Sequence, residues 1–351
     1  MNFKVACLAS LFSLGNLFLA IPTFGQWQPQ VEKSYSRIAF GSCADEDKRQ
    51  VILKRVVEAE PDLFIYLGDN IYGDTRDMDK LKQKYAKLGR KPEFQRLCKT
   101  VPILATWDDH DFGENDAGRY YPFAEASKEI FLDFWNEPLA SSRWEHPGIY
   151  HAHILGKPGR RVQVILLDTR TFRDDLLHNN ARQWKNDYRP NESPDSTFLG
   201  AKQWAWLEQQ LLVPADLRII ASSNQFSHAY NGWESWNNVP REREKMLALI
   251  RKTEAKGLVF ISGDVHWGEL SRYDHPGNYP IYDLTSSGIT QSWPDIEANN
   301  RRIGAPLYGK NFGMLRINWE MKDPEIEFIL KNKKGKKVLS HSIRLSELDW
   351  H

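Results

Sequence analysis

Four short stretches of this sequence hold the side chains from which metal centres are built. Trp107-Asp108-Asp109-His110-Asp111 crowds three carboxylates around one imidazole, and Gly263-Asp264-Val265-His266 sets a carboxylate and an imidazole on either side of a valine. Gly68-Asp69-Asn70-Ile71-Tyr72 adds a carboxylate and a phenol, and Gly41-Ser42-Cys43 adds a thiol. Taken singly, each stretch has an ordinary reading. Asp and Asn after a strand make turns or cap the next helix, an Asp-X-His pair is commonly a local hydrogen bond, and acids on a loop form a solvated face. Turn chemistry does not demand ligand-type residues in four separate places. Carboxylates gathered in one pocket repel one another, and cations are the usual remedy.

The elements that must position these residues are short apolar runs. They lie at 37–42, 63–67, 101–106, 162–167, 217–222 and 258–262, each the length of a buried strand. Cys43, the Asp69 stretch, the Asp108 stretch and the Asp264 stretch each follow directly on one of these runs. In open α/β sheets ligands gather outside the carboxyl ends of strands, so the four endings can share one pocket. Helix-like segments stand between several runs: DKRQVILKRVVEAE, AEASKEIFLDFWNE, GAKQWAWLEQQLL and VPREREKMLALIRKTEAKG. The alternation predicts an α/β architecture. GIYHAHIL and RRVQVILLD flank a Gly-Lys-Pro-Gly turn and read as a hairpin, so mixed sheets are expected. GMLRINW, EIEFILK and KKVLSHSIRL read as an antiparallel meander near the C-terminus.

With 351 residues and 41% hydrophobic side chains the chain can bury a sizeable core, and a net charge of +1 gives no reason to expect a nucleic-acid-binding surface. Residues 1–25 read as a signal peptide: Lys4 supplies the positive start, Val5 to Ile21 is apolar, and Thr23-Phe24-Gly25 offers a cleavage site. Pro22 and Gly25 close that run and no second span follows, which favours export, secreted or periplasmic, over a membrane anchor. Cys7 would leave with the signal. Cys43 and Cys98 remain, either as a disulfide, as two buried thiols, or with Cys43 as a metal ligand. Thirteen tryptophans are present, and Trp107, Trp233, Trp236, Trp267 and Trp293 lie in or near the ligand loops. They serve either as packing under long loops or as a wall for an organic group. Arg170, Arg241 and Arg243 are available cations that could equally form structural ion pairs.

In order, GSC, GDNIY, TWDDHD, LLDTR, GAKQWAWLEQQL and GDVHW resemble the PhoD-like metallophosphatases, the alkaline phosphatase D family of the calcineurin-like metallophosphoesterase superfamily. The resemblance covers about residues 36–300. It implies a four-layer αββα sandwich with two mixed sheets, a domain running from 36 to 351 behind a short segment at 26–35, and no N-terminal β domain of the kind longer members carry. By the same resemblance Cys43 fits the family's cysteine ligand, Asp69 the carboxylate that bridges the metals and serves catalysis, and Tyr72 the tyrosine on iron. Asp109 and His110 match an Asn-His pair, one a ligand and the other a catalytic histidine beside the substrate. Asp264 and His266 match a pair that serves one metal each. Asp108 is a further ligand, and Asn224, Gln225 and His228 are offered as substrate contacts. The implied cofactors are ferric iron (Fe3+) and calcium (Ca2+), other divalent metals also being compatible. The implied activity is hydrolysis of phosphate monoesters, diesters or both by metal-activated water, the partner being a phosphate ester. The alternative is a non-catalytic metal-containing binding protein with a vestigial site. The oligomeric state is left open.

Overall fold

A computed structural model of the chain describes residues 32–180 and 188–350. The expected signal peptide, residues 1–25, lies outside the described residues. Among those described, no helix is long and apolar enough to cross a membrane.

The first sheet is built from both ends of the chain. It contains β1 (Arg37–Gly41), β2 (Leu63–Leu67) and β3 (Ile103–Thr106), which run parallel to one another. The second sheet takes β4 (His151–Leu155) and β5 (Val162–Leu166), the hairpin read from the sequence, with His151 opposite Leu166. Two short strands, β6 (Leu177–His178) and β7 (Tyr188–Arg189), pair with each other outside both sheets. The second sheet continues with β8 (Leu217–Ala221), β9 (Leu258–Ser262), β10 (Gly268–Tyr273), β11 (Ile281–Ser286) and β12 (Arg302–Leu307). The expected meander, β13 (Asn311–Asn318), β14 (Glu325–Asn332) and β15 (Lys337–Arg344), returns to the first sheet. Strand orders are β15-β14-β13-β1-β2-β3 and β12-β10-β11-β9-β8-β5-β4. Both sheets are mixed, because β1 pairs antiparallel with β13 and the parallel set β5-β8-β9-β11 carries antiparallel neighbours at each side.

Side chains alternate along a strand, so each sheet can bury two faces. In the first sheet Ile38, Phe40, Ile65 and Leu67 join a large core with Leu284, Ile220 and Ile261 of the second sheet, whereas Ala39, Phe64 and Tyr66 pack into a smaller core. The smaller core is closed by the helices Ile52–Glu58, Met78–Gly89, Pro92–Thr100 and Ala124–Phe134, and the helices Gly200–Leu211 and Pro240–Lys252 pack on the larger one. The result is the expected αββα sandwich. All five residues of β2 and of β9 are buried, which forces the chain's polar groups to appear where those strands stop.

Candidate metal centre

The ligand-type residues converge because each lies on a turn leaving a parallel strand. Cys43 follows β1, Asp69 and Tyr72 follow β2, Asp108 to His110 follow β3, and Asp264 and His266 follow β9. Cys43, Asp69, Asp264 and His266 take φ of +61°, +49°, +68° and +64°. Left-handed backbone costs a non-glycine residue on the order of 1–2 kcal/mol. Nine described non-glycine residues have positive φ, so the presence of these four among them concentrates backbone strain at the centre. Two glycines let the turns approach. A Cβ on Gly68 would stand 2.5 Å from the Asp108 Cβ, and one on Gly263 would stand 2.4 Å from the Ser42 Oγ.

Cys43 Sγ lies 3.3 Å from Asp69 Oδ2 and 3.0 Å from Ser287 Oγ. The Tyr72 hydroxyl is 3.2 Å from His266 Nε2, and its ring leans on His110 with centroids 4.2 Å apart. Ligand atoms of Cys43, Asp69 and His266 lie within 4.8 Å of one another, as do those of Asp69, Asp109 and His110, and those of Asp69, Asp108, Asp109 and Asp264. Asp69 is common to these three sets. Asp69 Oδ1, Asp108 Oδ2, Asp109 Oδ1 and Asn224 Oδ1 are buried without a hydrogen-bond partner. A buried acceptor left unmatched costs about 1–3 kcal/mol. Several in one place, beside a thiol, a phenol and an imidazole, fit cations as their partners.

The electrostatics agree. Burial pushes the Asp69 and Asp264 carboxyls well above the usual range, and neighbouring acids add to the push. Burial, and then Asp69, raises the Cys43 thiol in the same way. Asp108 is raised by burial to about 8 although Arg170 opposes the shift. Burial also acts to raise Asp109, but His110 and Arg170 outweigh it and hold that carboxyl below its ordinary value. Burial works against a charged His110, yet Asp109, Asp69 and Asp74 push it up to about 11. His266 is lowered to about 4 by burial and by His110, which keeps it the neutral imidazole that can ligate. On protein groups alone, then, the thiol and several carboxyls would hold protons that a bound cation displaces.

Asp111 points elsewhere than its neighbours. Its carboxylate accepts the backbone N–H groups of Asp69 and Asn70, each at 3.2 Å, and of Asp108 at 2.6 Å, so it ties the β2 turn to the β3 turn. Arg170 is a structural ion pair: fully buried, it donates from Nε to Asp108 Oδ1 at 2.5 Å and stands 2.6 Å from Glu234 Oε2. Glu234 also pairs with Arg173 at 3.0 Å, and Asp109 Oδ2 accepts the Asp116 backbone N–H at 2.7 Å. Sequence reasoning missed Glu234, Asp116, Ser287 and the distinct role of Asp111. For Glu234 a signal exists, a lone acid between two tryptophans in the otherwise uncharged NGWESWNN.

Of the three residues named after β8, Asn224 reaches the centre, its Nδ2 lying 3.4 Å from Asp264 Oδ2. Gln225 instead donates to Glu269 at 2.7 Å and to Thr285 at 2.9 Å, and His228 lies 3.5 Å from Glu269; neither lines the cavity. Arg241 donates to the Glu192 carbonyl and Arg243 to Asn237, so both stabilise loops. Neither cysteine is in a disulfide: Cys98 packs beside the smaller core, and Cys43 faces Asp69. The centre opens into a cavity whose lining includes Asp69, Asp109, His110, Asp264 and His266, together with Tyr188, Trp233, Trp267 and Trp293.

Comparison with known proteins gives one consistent result. The model of the PhoD-like phosphatase family matches residues 38–306. Alkaline phosphatase D of Bacillus subtilis (strain 168) is 24% identical over 292 residues, which is 72% of this chain and 48% of that protein. The chain therefore spans about half the length of this curated relative. A solved structure of PhoD has a TM-score of 0.64 at 18% identity, covering 90% of this chain and 74% of the other. Purple acid phosphatase PPD1 of yellow lupin (Lupinus luteus) has a TM-score of 0.63 at 13% identity, covering 89% and 54% respectively. At these identities the structural likeness is one of fold.

Proposed function

The chain belongs to the PhoD-like phosphatase family, and from that premise we propose that it is a metal-dependent phosphoesterase acting on phosphate monoesters, diesters or both. The observation that carries the reading is Asp69, one buried carboxylate shared by three sets of ligand-type side chains, with an oxygen that no protein group satisfies. In this reading Cys43, Tyr72, His266 and Asp69 hold ferric iron. Asp69, Asp108, Asp109 and Asp264 hold calcium or another divalent cation, oxygen ligands suiting the harder ion. Cations there neutralise an incoming phosphate and make water acidic enough to act as a nucleophile near neutral pH.

The chain's own residues do the rest. His110 lines the cavity and is fixed at Nδ1 by Asp74 Oδ1 at 2.8 Å, which leaves the proton on Nε2 to pass to the leaving oxygen. Asp111 and Arg170 orient the turns that carry Asp69 and Asp108. The leader-like residues 1–25 support export to the periplasm or the outside, and residues 36–351 form the phosphoesterase domain in this reading.

The test uses the full chain as purified. Hydrolysis of 4-nitrophenyl phosphate and bis(4-nitrophenyl) phosphate is measured before exhaustive chelation, after it, and after metal is restored. Loss and recovery of turnover are expected. Undiminished turnover by a metal-free chain contradicts the proposal, and a metal-loaded chain that hydrolyses neither ester is the binding protein of the alternative reading.

A further inference from the structure

Packing accounts for some of the loop tryptophans but not for all of them. Trp236 belongs to the larger core and Trp107 to the smaller. Trp233 and Trp293 belong to neither, are only partly buried, and both line the cavity. Their ring centroids are 6.3 Å apart with planes at 80°, which makes a corner rather than a pair of parallel plates. A flat ring fits such a corner, offset-stacked on one indole and edge-on to the other.

The corner is fixed to the centre by backbone. Trp293 donates its N–H to the carbonyl of His266 at 3.1 Å. Trp233 donates its N–H to Asn231 Oδ1 at 2.8 Å, and the next residue, Glu234, holds Arg170, which holds Asp108. The charges in the cavity also matter. Among its described lining residues are Asp69, Asp109, Asp116, Glu234 and Asp264, and no Lys or Arg. Most of these acids are already engaged, as cation ligands or, for Glu234, with Arg170 and Arg173, so on the side away from the ligands a substituent meets mainly the indoles of Trp233 and Trp293.

We propose that Trp233 and Trp293 form a subsite for one planar apolar substituent of a phosphate diester, an aryl group or a comparably flat ring, so that aryl esters are preferred over alkyl esters of the same charge. The proposal deepens the phosphoesterase reading and, as a substrate subsite, rests on it. The wall acts on the substituent alone, so its loss lowers affinity for aryl esters and leaves the metals in place.

The test is binding of diphenyl phosphate and dimethyl phosphate to the full, metal-loaded chain by titration calorimetry. The wild type should bind the diphenyl ester about tenfold more tightly or better, the scale of one to two aromatic contacts. Trp233→Ala and Trp293→Ala should each lose most of that preference, Trp233→Phe should keep it, and metal content should be unchanged in all three. Equal or absent binding of the two esters by the wild type, or an unchanged preference in both alanine variants, overturns the subsite. Turnover of bis(4-nitrophenyl) phosphate separates the two readings. A chain that selects the diphenyl ester but hydrolyses nothing sinks the phosphoesterase and leaves the aromatic corner standing as a binding site.

Discussion

The Asp111 carboxylate accepts the backbone N–H of Asp69 at 3.2 Å, so the residue shared by the ligand sets is positioned by an acid that is not itself one of them. The same carboxylate accepts from Asn70 and Asp108, and it is fully buried. Asp111→Ala leaves these donors unmatched, at about 1–3 kcal/mol for each one that water does not reach. Urea unfolding should show a loss of several kcal/mol, and the purified variant should carry less metal. A variant with wild-type stability and metal content contradicts the positioning role.

Arg170 stands between Asp108 and Glu234 with its side chain out of solvent. Arg170→Ala removes the cation facing buried Asp108 and one of the two facing Glu234, which keeps Arg173, and leaving a buried charge unpaired typically costs about 3–5 kcal/mol. Arg170→Lys restores the charge but not the two-armed geometry, so it should recover only part of the loss. Equal stability of the lysine variant and the wild type would show that the fork is dispensable.

The strand ends were readable because a buried parallel strand is a continuous apolar run that stops abruptly. What the run cannot reveal is where each following side chain points. Asp108, Asp109 and Asp111 look alike in WDDHD, but the short helix Asp109–Phe112 begins inside the motif and turns successive side chains by about 100°. Asp108 then meets Arg170, Asp109 faces the cavity, and Asp111 reaches back to the Asp108 N–H as the N3 acid of a capping box. The SSNQFSHAY stretch hides its outcome for the same reason, Asn224 facing Asp264 while Gln225 turns to Glu269. The helices Met78–Gly89 and Pro92–Thr100 are not among the segments read from the sequence, although their buried residues recur at helical spacing, Leu81, Tyr85 and Leu88 in the first and Phe94 and Leu97 in the second. Their start signals are also present, Asp77 accepting from the Asp79 and Lys80 N–H groups and Pro92 opening the second. The pairing of Ile38 with Leu315 joins opposite ends of the chain, and no local pattern encodes it.

The two cysteines give a paired prediction. Cys43 faces Asp69 and Ser287, whereas Cys98 sits on the helix Pro92–Thr100 beside the smaller core. Cys43→Ser should lose iron and activity, and the visible charge-transfer colour expected of a thiolate and phenolate on ferric iron should fade with them. Cys98→Ser should match the wild type in metal, colour and rate. Identical loss in both variants would instead indicate a shared structural role.

The most direct measurement is the metal content of Asp69→Asn set beside its rate, using elemental analysis and bis(4-nitrophenyl) phosphate turnover on the same preparation. Replacing the shared carboxylate with an amide removes a charge on which both cations depend. The purified wild type should carry more than one metal ion per chain, and the variant should lose at least one of them together with activity, the rate falling by about two orders of magnitude or more. A variant that keeps wild-type metal content and a near-normal rate contradicts a metal centre built on Asp69.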